Sequence, residues 1–114
     1  MYGIPSDFPH DLLKGAALIQ VCVGEHQLQL NFDGGQNVSI ESCLRIDGGE
    51  KLSDFTQAAT SICRFLGYQV EESSAPDTKT LKLRFSRGTI EVLDDTLQYE
   101  SFSIALPDRG IFFV

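Results

Sequence analysis

LQLNFDGGQNVSI, residues 28–40, decides how the rest of this chain is read. Leu28, Leu30 and Phe32 alternate with Gln29 and Asn31, a period of two that gives a strand one buried and one wet face. Asp33-Gly34-Gly35 supplies the positive-φ residues of a tight hairpin. Val38 and Ile40 alternate with Ser39 and Glu41 on the way back. The stretch returns at residues 81–92 as LKLRFSRGTIEV. There Leu81, Leu83 and Phe85 stand for Leu28, Leu30 and Phe32, and Ile90 and Val92 for Val38 and Ile40. Gly35 corresponds to Gly88 when one residue is allowed for turn length. Two similar hairpin units are therefore expected.

Between them lies the only strong helical signal. Leu52, Phe55, Thr56, Ala59, Ile62, Cys63 and Leu66 recur at three- and four-residue spacing, which predicts a helix over residues 52–66 with these side chains facing a core. Ser53 or Asp54 is placed to cap its start, and Gly67 to end it. LIQVCV, residues 18–23, is apolar on both sides and reads as a strand buried on both faces. Apolar residues run on from Ile40 through Leu44 and Ile46, with a break near Ser42. VEESSAPDT, residues 70–78, is polar and carries a proline, so it reads as an exposed loop. Residues 99–106 form another strand candidate, and 111–114 a last short one that its apolar character predicts to be paired. Pro5 and Pro9 mark residues 1–14 as a lead-in arm, which Phe8, Leu12 and Leu13 pin to the body. The expected architecture is α+β, one domain over residues 1–114. In it an antiparallel sheet of six to seven strands is covered by one amphipathic helix and either curls around it or continues into a dimer.

The chain has 114 residues, enough to bury roughly two thirds of its unfolded surface in one core. Acidic residues outnumber basic ones 16 to 9, a net charge of -7. With no basic run, the cations that neutralise phosphates are missing, which argues against nucleic acid and anionic membranes. A basic protein partner fits the charge. Three cysteines, no basic-then-apolar leader and no long apolar run point to a reduced, cytoplasmic protein.

The residues that carry chemistry elsewhere form no set here. His10 and His26 are the only histidines, and no HxxxH or CxxC spacing exists. Cys22, Cys43 and Cys63 read as small core residues, Cys63 on the helix stripe. Asp33-Gly34-Gly35 and Asp47-Gly48-Gly49 do not lead into a helix as a phosphate loop would. Neither a catalytic residue, a metal site nor a cofactor is expected. The densest acidic region is Glu91, Asp94, Asp95 and Glu100, whose spacing matches no metal loop.

The hairpin at residues 83–92 followed by Asp94-Asp95 and then Tyr99-Glu100-Ser101-Phe102 resembles a recurring arrangement in small bacterial proteins of unknown function. The start, MYGIPSDF followed by LIQVCVGEHQLQLNF, is similar to members of the same group. The resemblance covers most of the chain and implies kinship without a reaction. Some small acidic proteins of this kind look like immunity proteins that neutralise bacterial toxins. On that footing the first expectation is a non-enzymatic binding module that docks a basic toxin. Asp94, Asp95, Tyr99 and Glu100 are its partner-binding residues, Tyr99 as an anchor and Glu100 as a charge contact. A structural protein forming a homodimer across a strand edge is the second expectation. A small ligand binder or thiol enzyme using Cys22, Cys43 or a histidine is the third.

Overall fold

A computed structural model describes residues 13–77, 79–94, 102–107 and 110–113. In chain order its elements are β1 (Leu18–Val23), β2 (Leu28–Phe32), β3 (Asn37–Ile40), β4 (Cys43–Ile46) and α1 (Phe55–Ile62). A 3-10 turn (Cys63–Phe65) follows, then β5 (Val70–Asp77), β6 (Thr80–Phe85), β7 (Gly88–Leu93), β8 (Phe102–Leu106) and β9 (Gly110–Phe113). The strands form two antiparallel sheets, β1-β2-β3-β8-β9 and β4-β7-β6-β5. The expected single sheet of six to seven strands is thus corrected to nine described strands in two sheets. The physical reason is coverage. A helix of eight residues hides little of a wide sheet, whereas two sheets bury each other's apolar faces. The core is one continuous cluster, contributed by both sheets, by α1 and by Leu13 and Ala16.

The repeated ribbons are β2–β3 and β6–β7, one in each sheet. Leu28, Leu30, Phe32, Val38 and Ile40 are all buried, and so are Leu81, Leu83, Phe85, Ile90 and Val92. The repeat extends well beyond them. Leu18 pairs with Phe32 and Gln20 with Asn31 across a bulge, just as Val70 pairs with Phe85 and Glu72 with Arg84 across another. The two units meet symmetrically where Ala17 bridges Gln69. There Leu18 N–H donates to the Tyr68 carbonyl (3.1 Å) and Val70 N–H to that of Ala16 (2.8 Å). Gly15 N–H donates to Val70 and Gly67 N–H to Leu18, both at 2.7 Å. Each unit then sends its fourth strand to the other sheet. β4 follows β3 but pairs with β7, and β8 follows β7 but pairs with β3. The fold is a pseudo-twofold sandwich with exchanged strands.

Register refines the turn correspondence. Phe32 N–H donates to the Gln36 carbonyl, while Phe85 pairs with Gly88, so Gly88 takes the place of Gln36. Gly35, at φ 87°, is the left-handed residue of a three-residue loop that the second ribbon shortens to two.

Three local expectations are revised. Residues 70–77 form β5, not a loop. Val70 and Ser73 are buried, and the polar remainder suits an edge strand whose Pro76 falls at a register irregularity. β1 is an edge strand with one buried face, not two, and Ile19 and Val23 are exposed. The helix runs over 55–62, capped by Asp54, whose carboxylate accepts the Thr56 and Gln57 N–H groups. Leu52 belongs to a bridge, exchanging backbone hydrogen bonds with Leu44 (2.7 and 3.0 Å). The buried helical residues are Phe55, Ala58, Ala59 and Ile62, followed by Phe65. Thr56, in the first turn of α1, is exposed, and Cys63 and Leu66 are exposed because the 3-10 turn advances with three residues per turn and stacks Phe65 over Ile62.

The end of the helix is tied to the second ribbon by Asp47. This residue adopts φ 54°, and its carboxylate accepts hydrogen bonds from Thr89 N–H (2.9 Å) and the Arg64 guanidinium. The Thr89 bond first, and Arg64 second, hold the Asp47 carboxyl below the usual carboxylate range.

Candidate functional site

One end of the sandwich gathers the β1–β2 turn, the corner between β3 and β4, and the start of α1. The cleft between them has a volume of about 600 Å³ and is lined by Glu25, His26, Gln27, Glu41, Ser42, Ser53 and Phe55. Each element has a local cause. Gly24 N–H donates to the Gln27 carbonyl (2.7 Å), which closes the turn and projects Glu25 and His26 outward. The chain bends at Glu41-Ser42 because its fourth strand must cross to the other sheet. Asp54 stops the helix short, leaving Ser53 on the rim and Phe55 at the floor, buried.

The lining carries two carboxylates, Glu25 and Glu41, both exposed, and no lysine or arginine. His26 Nε2 lies 3.7 Å from the Glu25 carboxylate, with both side chains almost fully in solvent. A helix N-terminus attracts anions through its unpaired N–H groups. Here the Asp54 carboxylate has taken those of Thr56 and Gln57, so a negative guest finds little to bind. A guest cation meets glutamates and serine hydroxyls.

The residues expected from the sequence are scattered. Asp94, at the end of β7, is 9% exposed, and its N–H donates to the Lys79 carbonyl (2.7 Å). Asp95, Tyr99 and Glu100 lie outside the described residues, as does His10. Cys22 sits half-buried on the outer side of β1, where the Asn31 amide donates to its sulfur (3.7 Å). Cys43 is buried. Cys63, expected in the core, is exposed for the reason given above. Neither a cysteine nor a second histidine is among the residues lining the cleft. Among the described residues, no group of three or more His, Cys, Asp or Glu is arranged to hold a metal ion. No described helix is long and apolar enough to cross a membrane.

The cleft was not legible in advance because its residues come from three elements that only the sandwich brings together. The signals present were the Glu25-His26 turn and the break at Ser42.

The outer faces of the two sheets differ in chemistry. On the five-stranded sheet Ser39 Oγ donates to Asn37 Oδ1 (2.7 Å), Asn37 Nδ2 to Asn31 Oδ1 (2.7 Å) and Asn31 Nδ2 to Gln20 Oε1 (3.1 Å). On the four-stranded sheet Arg84 contacts Glu71 (2.9 Å) and Glu72 (3.6 Å), and Arg45 lies 3.9 Å from Glu91.

A family model described as a family of unknown function (DUF6188) matches residues 10–114. No significant match is found among curated proteins or among solved structures.

Proposed function

We propose that this chain, which belongs to the DUF6188 family of unknown function, is a non-enzymatic protein-binding module that docks a basic protein through its acidic cleft. The most concrete form of the reading is an immunity-type inhibitor of a basic bacterial toxin. What supports it is the lining of the cleft: it holds the exposed carboxylates Glu25 and Glu41 and no lysine or arginine, on a chain of net charge -7. Two exposed carboxylates in one cleft suit a lysine or arginine side chain, and the charge of the whole chain steers a basic partner towards it. Phe55 gives the aliphatic stem of such a side chain an apolar floor. Asp95, Tyr99 and Glu100 remain proposed contacts of the same partner. Asp94, being nearly buried, is assigned to holding the end of β7 in place for them.

The test is capture of basic proteins encoded beside this gene, followed by titration. A basic partner should bind at micromolar concentration and more weakly as salt rises. The double variant Glu25→Lys/Glu41→Lys should bind it at least about tenfold more weakly, about 1.4 kcal/mol. Failure to capture any basic protein, or affinity indifferent to both charge reversals, overturns the reading.

A further inference from the structure

The acceptors that line the cleft come from separate places, and that narrows the cation they suit. Glu25 belongs to the β1–β2 turn, Glu41 and Ser42 to the β3–β4 corner, and Ser53 to the approach to α1. Ser42 Oγ donates its proton to Cys43 Sγ (3.7 Å), which leaves the hydroxyl oxygen to accept. Gln27 is committed elsewhere, its amide oxygen accepting from Gln29 Nε2 (3.1 Å). A guest therefore meets two carboxylates and two hydroxyl oxygens, supplied by three elements.

Size separates the two basic side chains. A cleft of about 600 Å³ is on the order of 10 Å across. An ammonium carries all its donors on one atom, so two acceptors it joins lie within about 6 Å of each other, twice a hydrogen bond of about 2.9 Å. A guanidinium holds five N–H groups in a rigid fork and reaches farther by the width of that fork. It is also more weakly hydrated, so it gives up less on entering a cleft with an apolar floor. The chain itself shows both halves of such a setting. Arg84 spans two carboxylates with different nitrogens, Nη1 on Glu71 (2.9 Å) and Nη2 on Glu72 (3.6 Å). Arg64 binds Asp47 while its guanidinium carbon sits 4.8 Å from the centre of the Phe65 ring. The cleft lining supplies the same partners, two glutamates and a phenylalanine, and includes no arginine.

We infer that the partner seats an arginine side chain in this cleft, in preference to a lysine. The inference rests on the reading of the cleft as the docking site of a basic protein, and it names the residue that docks. The guanidinium divides its donors between the carboxylates and the serine hydroxyls, and its methylene stem lies against Phe55.

The full chain, labelled with nitrogen-15, is titrated at constant ionic strength with N-acetyl-arginine methylamide and with its lysine and citrulline analogues. The arginine probe should shift the backbone amide signals of Ser42, Ser53 and Phe55 to saturation. The lysine probe should need at least about threefold more for the same shift. Citrulline, matched in shape but uncharged, should leave the signals in place. Ser53→Ala, at an exposed position, should weaken the arginine probe and leave the lysine probe as it was, because only the fork reaches that hydroxyl while held by a carboxylate. Glu25→Gln/Glu41→Gln should remove the binding of both. A lysine probe that binds as tightly as arginine, or an arginine probe indifferent to Ser53→Ala, overturns this inference and leaves the basic-partner reading standing. Citrulline that binds as tightly as arginine overturns both, since charge then plays no part. An arginine probe that leaves the cleft signals unmoved overturns the inference, and capture of basic proteins then judges the wider reading separately.

Discussion

Residues 13–40 and 65–92 follow one backbone plan with two different exteriors. Each begins with a buried residue, Leu13 or Phe65, turns through a positive-φ glycine, Gly15 or Gly67, and bulges at its first strand. Each then closes a hairpin on five buried apolar residues. Inside, the two units are interchangeable in kind: Leu30 faces the core as Leu83 does. Outside, the first carries an uncharged amide chain and the second a set of ion pairs. The inner positions are held by the requirement that two sheets bury each other. The outer positions are free of that requirement, and it is there that the two units diverge.

The sharpest way to break this comparison is inside. Leu30 and Leu83 are both fully buried. Leu30→Ala and Leu83→Ala should each cost about 2–5 kcal/mol in urea unfolding, and the two values should agree within about 1 kcal/mol. A large inequality would mean that the units do not share the core equally.

The turns come next, where the units differ by one residue. Gly88 has φ 146°, and a Cβ there would lie 2.3 Å from Asp47 Oδ1, an atom held by Thr89 and close to Arg64. Gly88→Ala should cost about 1–3 kcal/mol. Gly35→Ala, at φ 87° in the left-handed region and 2.9 Å from Pro107 Cγ, should cost less. The Gly88 variant should also flatten the acid limb of the stability profile. The Asp47 carboxyl is held low in the folded chain, so its contribution is complete above the unfolded value of 3.8 and fades as pH falls below it. Displacing Asp47 removes that fading. An unchanged acid limb would show that the contact is idle.

The smallest effects belong to the exteriors. Arg84→Ala removes two exposed ion pairs and should cost under about 1 kcal/mol, with the difference vanishing at high salt. Asn31→Ala, its counterpart, removes one part-buried and one exposed amide bond and should cost about 1 kcal/mol at any salt concentration. Equal salt dependence for the two would erase the distinction between the faces.

Much of the fold was legible because it is local. The alternation of Leu28, Leu30 and Phe32 places side chains on one side of any strand, whatever that strand pairs with. The sequence match of five positions marked the repeat but not its extent, since Leu18 and Val70 resemble each other only through their register. β5 was hidden because an edge strand with one wet face and a proline has the composition of a loop. The helix was found but misphased, because a 3-10 turn cannot be distinguished from an α-helical one by spacing alone. Of the candidate site, single residues could be seen, and their gathering could not.

By itself the sequence determined two ribbons with apolar inner faces, one helical segment between them, glycine turns and an acidic exterior. Each of these follows from sterics and periodicity within a few residues. Only the tertiary structure decided that the ribbons lie in separate sheets, that β4 and β8 change places, and that Glu25, Glu41 and Phe55 share a cleft. Those outcomes depend on which distant strands cover one another, and that is settled by burial over the whole molecule.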